Sequence, residues 1–197
     1  SFVFQDLGFV GEKVSNIILD YAAGIDEAVQ HLVSLGHKRI VHIGGAHEIY
    51  SAGVRWEAFV EAVKKHLPDE PEPKIYEGDF RFEGGRLAAS QILAEKDLPT
   101  AVVVANDLMA LGAMQEFKAA GLRVPQDISI IGFDDISFSS LSEPALTTVN
   151  SPRVEIGRRA VEALMLTVDK PNQQGIEIRI PTSLLKRDST APPRTGR

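Results

Sequence analysis

Short apolar stretches typical of buried strands alternate along the chain with stretches in which apolar residues recur every three or four positions. The second pattern is clearest over residues 22–35, and Gly36 follows where a helix C-terminal cap belongs. The apolar positions that share one face of that helix are Ala22, Ile25, Val29, Leu32 and Val33. This alternation favours an α/β fold with parallel strands over an all-β or all-helical fold.

The same patterns divide the rest of the chain into successive strand–helix units. Strands are predicted at 2–4, 16–19, 39–45, 74–76, 101–104, 128–132, 147–149 and 176–180. Helices are predicted at 22–35, 53–66, 83–94 and 107–120, with a last one whose apolar stripe comprises Gly157, Ala160, Val161, Leu164, Met165 and Val168. The connections between these elements are short, which is typical of strand–helix units.

Polar side chains follow almost every predicted strand at the point where the strand ends. Ligands of open α/β sheets bind outside the carboxyl ends of the strands, so these residues are the candidates for a site. They are Asp6, Asp20, the loop 46–53, Asp79, Phe80, Asn106, Asp107, Asp134 and Asp135. Carboxylates accept hydrogen bonds from hydroxyls, an amide both donates and accepts, and an aromatic face covers the apolar side of a sugar ring. The pattern therefore predicts a neutral ligand with many hydroxyl groups.

An Asp or Asn that follows a strand is also a common N-cap of the next helix. Asp20 and Asp107 fit capping as well as they fit ligand contact. Asp134, Asn106 and Arg55 are favoured as ligand contacts, because a buried or clefted polar or charged group without a partner is costly.

Composition narrows the classes of protein that fit. The chain has 197 residues, of which 44% are hydrophobic and 24% charged, which suits one large or two small globular domains. With 21 basic and 27 acidic residues the net charge is -6, so this chain is not expected to contact DNA itself. There is no cysteine, no apolar run of about 18 residues and no signal-peptide pattern, and we expect a cytoplasmic protein without membrane contact.

No catalytic residue, cofactor or metal site is predicted. The five histidines lack the three- or four-residue spacing of a helical metal pair. Ser183 to Lys186 matches Ser-x-x-Lys without its companion motifs, and Gly44-Gly45 lacks the spacing of a phosphate loop. The adjacent Asp134 and Asp135 have no nucleophile or base arranged around them in the sequence.

A series of motifs in order along the chain resembles the regulatory domain of the lactose-repressor/galactose-repressor (LacI/GalR) transcription factors. The motifs are Asp20-Tyr21-Ala22-Ala23-Gly24, Leu35-Gly36-His37-Lys38-Arg39-Ile40, Arg55-Trp56-Glu57-Ala58-Phe59, Gly78-Asp79-Phe80, Ala105-Asn106-Asp107-Leu108-Met109-Ala110-Leu111-Gly112, Gly121-Leu122-Arg123-Val124-Pro125, Ile131-Gly132-Phe133-Asp134-Asp135, Leu146-Thr147-Thr148-Val149 and Arg187-Asp188-Ser189-Thr190. Singly these strings are weak, but in this order and over nearly the whole chain they are specific.

The resemblance implies a type I periplasmic-binding-protein-like fold, in which two Rossmann-like parallel-sheet lobes are joined by three crossovers and bind an effector in the cleft. It assigns residues 1–36 and 150–181 to a first lobe, residues 37–149 and 182–191 to a second lobe, and 192–197 to a flexible tail. In the family a helix-turn-helix headpiece, a hinge helix and the start of the first lobe precede the segment equivalent to Ser1. The first lobe is therefore expected to be incomplete, with an unpaired strand edge.

Carried over residue by residue, the family's effector contacts fall on six positions, with Ile49 and Tyr50 as loop neighbours. These positions are Asp6, Ser51, Arg55, Phe80, Asn106 and Asp134. Two residues depart from the family pattern: Ala58 replaces a glycine, and Tyr21 stands where a small polar residue is common. Both departures bear on the identity of the ligand.

The resemblance implies the effector-sensing domain of a DNA-binding regulator, a repressor that responds to a small sugar and binds operator DNA through a headpiece absent here. The alternative is an extracytoplasmic sugar-binding protein of a transporter, which shares the fold and the type of pocket. Family members form homodimers, and the surface expected here lies on helices 83–94 and 107–120 and on loop 137–141. Its apolar contacts are expected from Leu87, Met114, Phe117 and Phe138.

Overall fold

A computed structural model describes residues 1–46, 48–168, 170 and 172–194, and these form two sheets with helices packed against them. The strands are β1 (Phe2–Gln5), β2 (Val14–Leu19), β3 (Ile40–Gly44), β4 (Ile75–Glu77), β5 (Ala101–Val104), β6 (Ser129–Asp134), β7 (Thr147–Asn150), β8 (Glu177–Ile180) and β9 (Ser183–Leu185). The helices are α1 (Tyr21–Ser34), α2 (Tyr50–His66), α3 (Phe82–Leu93), α4 (Asp107–Ala119), α5 (Ser137–Leu141) and α6 (Arg153–Thr167).

The strands separate into two units. The first unit is the parallel sheet β1-β2-β8 together with α6, and the second unit is the sheet β4-β3-β5-β6-β7-β9 together with α1 to α5. All described pairings are parallel except β7 with β9. This confirms the α/β, parallel-sheet fold that the alternating sequence pattern predicts.

The second unit buries both faces of its sheet, as strands in a doubly covered parallel sheet require. Along β5, Ala101 and Val103 face one apolar cluster with α1 and α2, whereas Val102 and Val104 face a second cluster with α3 and α4. Because side chains alternate along a strand, a continuous run of four apolar residues supplies both cores at once.

The first unit is covered less completely. Its helix α6 lies against β1, β2 and β8 but buries only Ala163 and Thr167. The apolar stripe that the sequence predicts for this helix is divided: Ala160 and Leu164 are half-buried, and Ala160 packs against the core, whereas Val161 is 60% and Met165 is 65% exposed.

Three short crossovers join the units: Asp20 between β2 and α1, residues 151–152 between β7 and α6, and residues 181–182 between β8 and β9. Thr182 Oγ1 donates a hydrogen bond of 2.8 Å to the Asp20 carbonyl oxygen. Glycine is required at position 24, because any side chain there would collide with Thr182 and Val149. Two of the crossovers, at Asp20 and at residues 181–182, therefore meet beside the first turn of α1, next to the end of β7.

Several predictions differ from the structure in detail. Helix α1 packs against α2, β7 and β9 of the second unit, although the sequence analysis grouped residues 1–36 with the first lobe, and Ala22 at its start is exposed. The predicted loop 137–141 is the short helix α5, and β9 had not been predicted.

The start of the predicted tail lies against the second unit. Pro193 lies beside Gly36, and Arg194 donates a hydrogen bond of 2.8 Å to Asp127. Residues 195–197 of that tail lie outside the described residues. Among the described helices, none combines the length and the apolar character that crossing a bilayer requires.

Candidate functional site

The ends of parallel strands from both units bring most of the predicted contact residues together. Asp6 follows β1 of the first unit, and Asp134 is the last residue of β6 in the second unit. Asn106 follows β5 and Phe80 follows β4. The carboxyl ends of parallel strands share one edge of a sheet, which is why residues so far apart in sequence meet here.

Backbone strain is concentrated at these strand ends. Three of the predicted residues have positive φ angles, 57° at Asp6, 64° at Phe80 and 110° at Asp134, and Asp135 has 53°. A residue other than glycine in this region costs on the order of 1–3 kcal/mol, which the surrounding structure must offset. This backbone conformation sets the position and direction of each Cα–Cβ bond, so these side chains are positioned in the ligand-free chain.

Arg55 is the central cation of the site and is almost completely buried, with 6% exposure. Its Nη1 donates a hydrogen bond of 2.7 Å to the carbonyl oxygen of Ala105, and its Nη2 lies 4.0 Å from Asp134 Oδ1. The guanidinium carbon also lies 4.5 Å from the ring centre of Tyr21 and 4.7 Å from that of Phe133. Arg55 Nε is buried and has no hydrogen-bond partner in the described chain, so one donor stays open.

Asp6 is held by a residue of the other unit. The Tyr21 hydroxyl, at the first position of α1, donates a 2.5 Å hydrogen bond to Asp6 Oδ2. The second carboxylate oxygen, Oδ1, is buried and has no partner among the described residues. The structure thus joins Asp6, Tyr21 and Arg55 in one chain of contacts and leaves one acceptor open at Asp6.

Asn106 and Phe80 are linked directly. The Asn106 Nδ2 group donates a hydrogen bond of 2.8 Å to the Phe80 carbonyl oxygen. Asn106 Oδ1 accepts a hydrogen bond from the Met109 backbone N–H and so caps α4. The Phe80 ring packs against Gly45, where a side chain would overlap it, and lies 5.5 Å from the Arg55 guanidinium. Asn106 therefore serves as a cap and also holds Phe80 at the site.

The electrostatics of the site centre on Asp134, whose side chain is 32% exposed. Burial raises the pKa of this carboxyl to about 6, and the nearby Arg55 opposes the rise only in part. Arg153 at the start of α6 donates to the carbonyl oxygens of Asp134 and Asp135, so a residue of the first unit also supports this loop.

Both positions that could be helix caps or ligand contacts now have structural roles. Asp20 caps α1, since its Oδ1 accepts from the Ala23 backbone N–H at 3.2 Å. Asp107 is fully buried and accepts from Ser139 Oγ at 2.6 Å, from Thr148 Oγ1 at 2.5 Å and from the Ile136 N–H at 2.9 Å. Burial raises the pKa of Asp107, and these hydrogen bonds oppose the rise.

Ser51 is less closely integrated than the other five predicted residues. It lies in the first turn of α2, half-buried and one turn before Arg55, so both begin on the same face of the helix. No described hydrogen bond joins it to the other five. The neighbouring Ile49 and Tyr50 are exposed by 45% and 47%.

Two aromatic residues of the site were not among the six predicted contacts, although Tyr21 had been noted as a departure from the family pattern. Tyr21 and Phe133 lie 5.5 Å apart and both pack against Arg55. Phe133 is part of a buried strand and Tyr21 begins a helix, so each has the pattern of an ordinary core residue. The one available signal was the position of each directly beside a strand end.

The described residues hold no group of three or more His, Asp or Glu side chains suited to a metal ion, and His47 is outside them. A cavity of about 870 Å³ lies away from the strand ends, beside α4 and next to Leu111, Met114 and Lys118. Of the described buried polar atoms that lack a partner, none belongs to a residue lining it. The site at the strand ends is therefore the better candidate for a specific small ligand.

Comparison with known proteins agrees with this arrangement. Residues 29–190 match the family model of the periplasmic binding protein-like domain. The chain is 39% identical over 165 residues to the HTH-type transcriptional repressor CytR of Escherichia coli strain K12, covering 83% of this chain and 47% of that protein. It spans about half the length of the curated relatives it matches.

Solved structures share the fold over nearly the whole chain. A dimeric Lac repressor with an 11-residue C-terminal deletion matches with a TM-score of 0.86 and 33% identity, covering 98% of this chain and 69% of that one. A LacI family transcriptional regulator from Enterococcus faecium with bound ribose matches with a TM-score of 0.87 and 28% identity, covering 98% and 72%.

Proposed function

Because the chain belongs to the family of periplasmic-binding-protein-like domains, in the form found in LacI-type regulators, we propose that it is the effector-sensing and dimerisation domain of a transcriptional repressor. The effector is a small sugar or sugar derivative bound between the two units. The observation that carries the proposal is the convergence of Asp6, Arg55, Asn106 and Asp134 at strand ends from both units.

The open hydrogen-bonding groups of the site suit a ligand with hydroxyl groups. Asp6 Oδ1 needs a donor, Arg55 Nε needs an acceptor, and the partly exposed Asp134 can accept more than one bond. A hydroxyl donates and accepts at once, so neighbouring hydroxyls of a sugar can satisfy Asp6 or Asp134 and Arg55 together. Phe80 offers an aromatic face for the apolar side of the ring. The relative with bound ribose supports this ligand class.

In this proposal the two units are the lobes of the sensor. We keep the second-lobe assignment of residues 37–149 and 182–191 and the first-lobe assignment of 150–181. The packing of α1 supports placing the first boundary at Asp20 rather than at residue 36. The cleft between the lobes is then lined from one side by Asp6 and from the other by Arg55 and Asp134.

Operator DNA is contacted through a headpiece outside this chain, which agrees with the net charge of -6. Homodimers form through the second unit, where Leu87, Phe138 and Leu141 are exposed by 59%, 66% and 77%. Met114 and Phe117, which the sequence analysis also assigned to this surface, are buried core residues. The similarity to a dimeric Lac repressor supports a dimer, and the exposed apolar residues are the reason for placing its interface on the second unit.

A regulator is favoured over a transporter component because the curated relative is a repressor. The same relationship supports a sensor without catalysis, and a repressor of this kind acts in the cytoplasm, where the operator is. The strand-end carboxylates bind the effector in this proposal and perform no chemistry on it.

Isothermal titration calorimetry tests the proposal with a panel of sugars, nucleobases and amino acids. We expect the chain to bind a sugar, and Asp134→Asn to weaken that binding at least tenfold. Asp97→Asn is the matched control, since Asp97 is exposed and precedes β5 at the opposite edge of the sheet. Binding of a nucleobase alone, or equal affinity of both variants, would contradict the proposal.

A further inference from the structure

Tyr21 binds one carboxylate oxygen of Asp6, a residue on the opposite side of the proposed cleft. Its hydroxyl donates to Asp6 Oδ2 at 2.5 Å, and its ring is 1% exposed. Burial raises the pKa of Tyr21 well above its ordinary value, so the hydroxyl keeps its proton and remains a donor at neutral pH. Any ligand that reaches Asp6 therefore meets a carboxylate with one oxygen already taken.

The free oxygen is constrained in direction as well as in number. Asp6 has a φ of 57°, and its backbone N–H donates to the Ile17 carbonyl oxygen, so its main chain is fixed. Tyr21 itself cannot swing away freely, because its ring lies between Arg55 and Phe133 at 4.5 Å and 5.5 Å. The Oδ1 atom is buried without a partner and is aimed by these contacts.

A free carboxylate can accept hydrogen bonds at both oxygens, with about two lone pairs on each. In this chain Asp6 Oδ2 already accepts from the Tyr21 hydroxyl and, at 3.3 Å, from Gln5 Nε2, so Oδ1 is the oxygen left for a ligand. Building on the proposed sugar-sensing function, we propose that Tyr21 is a specificity-determining residue. It confines ligand hydroxyls to the Oδ1 side of Asp6 and so discriminates between stereoisomers of the sugar.

Arg55 extends the same restriction. Its Nη1 donates to the Ala105 carbonyl oxygen, its Nη2 lies 4.0 Å from Asp134, and its buried Nε has no partner. Acceptors on one side of Asp6 and donors on Arg55 then define the polar pattern for the ligand. Removing the Tyr21 hydroxyl while keeping its ring removes the contacts of that hydroxyl with Asp6 and Arg55 and preserves the ring packing.

The test is a titration of the four D-aldopentoses and of D-glucose, D-galactose, D-mannose and D-allose against the wild-type chain and Tyr21→Phe. We expect the sugars that bind poorly to the wild type to gain about tenfold in the variant, while the preferred sugar changes by less than threefold. The ratio between best and worst Kd therefore falls. Tyr76→Phe is the matched control, because it removes a tyrosine hydrogen bond to Glu95 at 3.1 Å outside the site.

A role of Tyr21 in stability alone would weaken all sugars by the same factor and leave their ratios unchanged, which would overturn the inference. If no sugar binds to the wild type, the proposed function fails and the inference with it. A second variant, Asp6→Asn, keeps an acceptor for Tyr21 and replaces the free oxygen with a donor. We expect the preferred sugar to lose at least tenfold in affinity, and wild-type affinity would overturn the inference.

Discussion

The two units use the same kind of parallel sheet, but they bury it to different extents. In the second unit the sheet is covered on both faces, and Phe117 and Phe59 are fully buried between strands and helices. In the first unit α6 turns Val154, Val161 and Met165 outward, and Phe2 and Phe4 of β1 are 62% and 43% exposed. Stability of the described chain should therefore come mainly from the second unit, because buried apolar area is the main favourable contribution to folding.

The largest effect should come from emptying the core of the second unit. Phe117→Ala should lower the free energy of unfolding by about 3–5 kcal/mol, since it removes a large buried ring and leaves a cavity. Val161→Ala, on the exposed face of α6, should change it by less than about 0.5 kcal/mol. Urea denaturation measures both. Equal losses would show that the two units contribute alike.

Substitution of Arg55 should reduce both ligand binding and stability. Arg55→Ala should weaken sugar binding by about 1.5–3 kcal/mol, the scale of a hydrogen bond to a charged group. It should also lower stability by about 2 kcal/mol, because it removes the bond to Ala105 and the contacts with Tyr21 and Phe133. Calorimetry and urea denaturation separate the two effects. The partly exposed Asp134 is the contrast: Asp134→Asn should reduce binding without the loss of stability at pH 7.

The exposed apolar residues of the two units should differ in their part in association. Phe138→Asp, on α5 of the second unit, should raise the Kd of the dimer at least tenfold, or about 1.4 kcal/mol, by placing a charge in an apolar contact. Met165→Asp, on α6, carries the same charge on an equally exposed site and should leave that Kd within threefold. Sedimentation over a concentration series measures both. The reverse ranking would place the interface on the first unit.

The smallest expected effect is a pH dependence that differs between site and core. The pKa of Asp134 is raised from 3.8 to about 6, so its contribution to stability is full below about pH 4 and is lost as pH rises through 6. His42, fully buried in the second unit, has its pKa lowered by burial from 6.5 to about 4, so its contribution is lost as pH falls through that range.

Between pH 4 and pH 7, the free energy of unfolding of Asp134→Asn should therefore rise by about 1 kcal/mol relative to that of the wild type. This value is reduced for the partial exposure of Asp134. Urea denaturation at both pH values measures the difference. A constant difference across this range would mean that Asp134 titrates as an ordinary surface carboxyl.

Helices and strands could be predicted from the sequence where the pattern of apolar residues matches the side chains that the fold buries. Strand 101–104 and the helix after it were found because four consecutive apolar residues face two cores. The stripe on α6 is covered only in part, at Ala160 and Leu164, because periodicity shows which residues share a face but not how much of that face is covered. The short α5 and β9 contain too few residues for either periodicity to show.

The candidate site was predictable as far as the strand-end rule extends. It identified Asp6, Phe80, Asn106 and Asp134 and the loop that holds Ser51, and the cost of burying an unpaired charge favoured Arg55. The family resemblance then selected these six residues. The contact of Tyr21 with Asp6 could not be found this way, because it depends on how one unit meets the other. The burial of Asp107 depends in the same way on α5 and β7, which are distant in sequence.

Gly24 has a consequence that reaches both units. Because it has no side chain, Val149 of β7 and Thr182 of a crossover can approach the first turn of α1, and Thr182 in turn binds the Asp20 carbonyl oxygen. A methyl group at this position would lie within 2.5 Å of both Thr182 Oγ1 and Val149 Cγ1, so at least one of these elements would have to shift. A single missing side chain thus couples the packing of α1 to two of the three connections between the units.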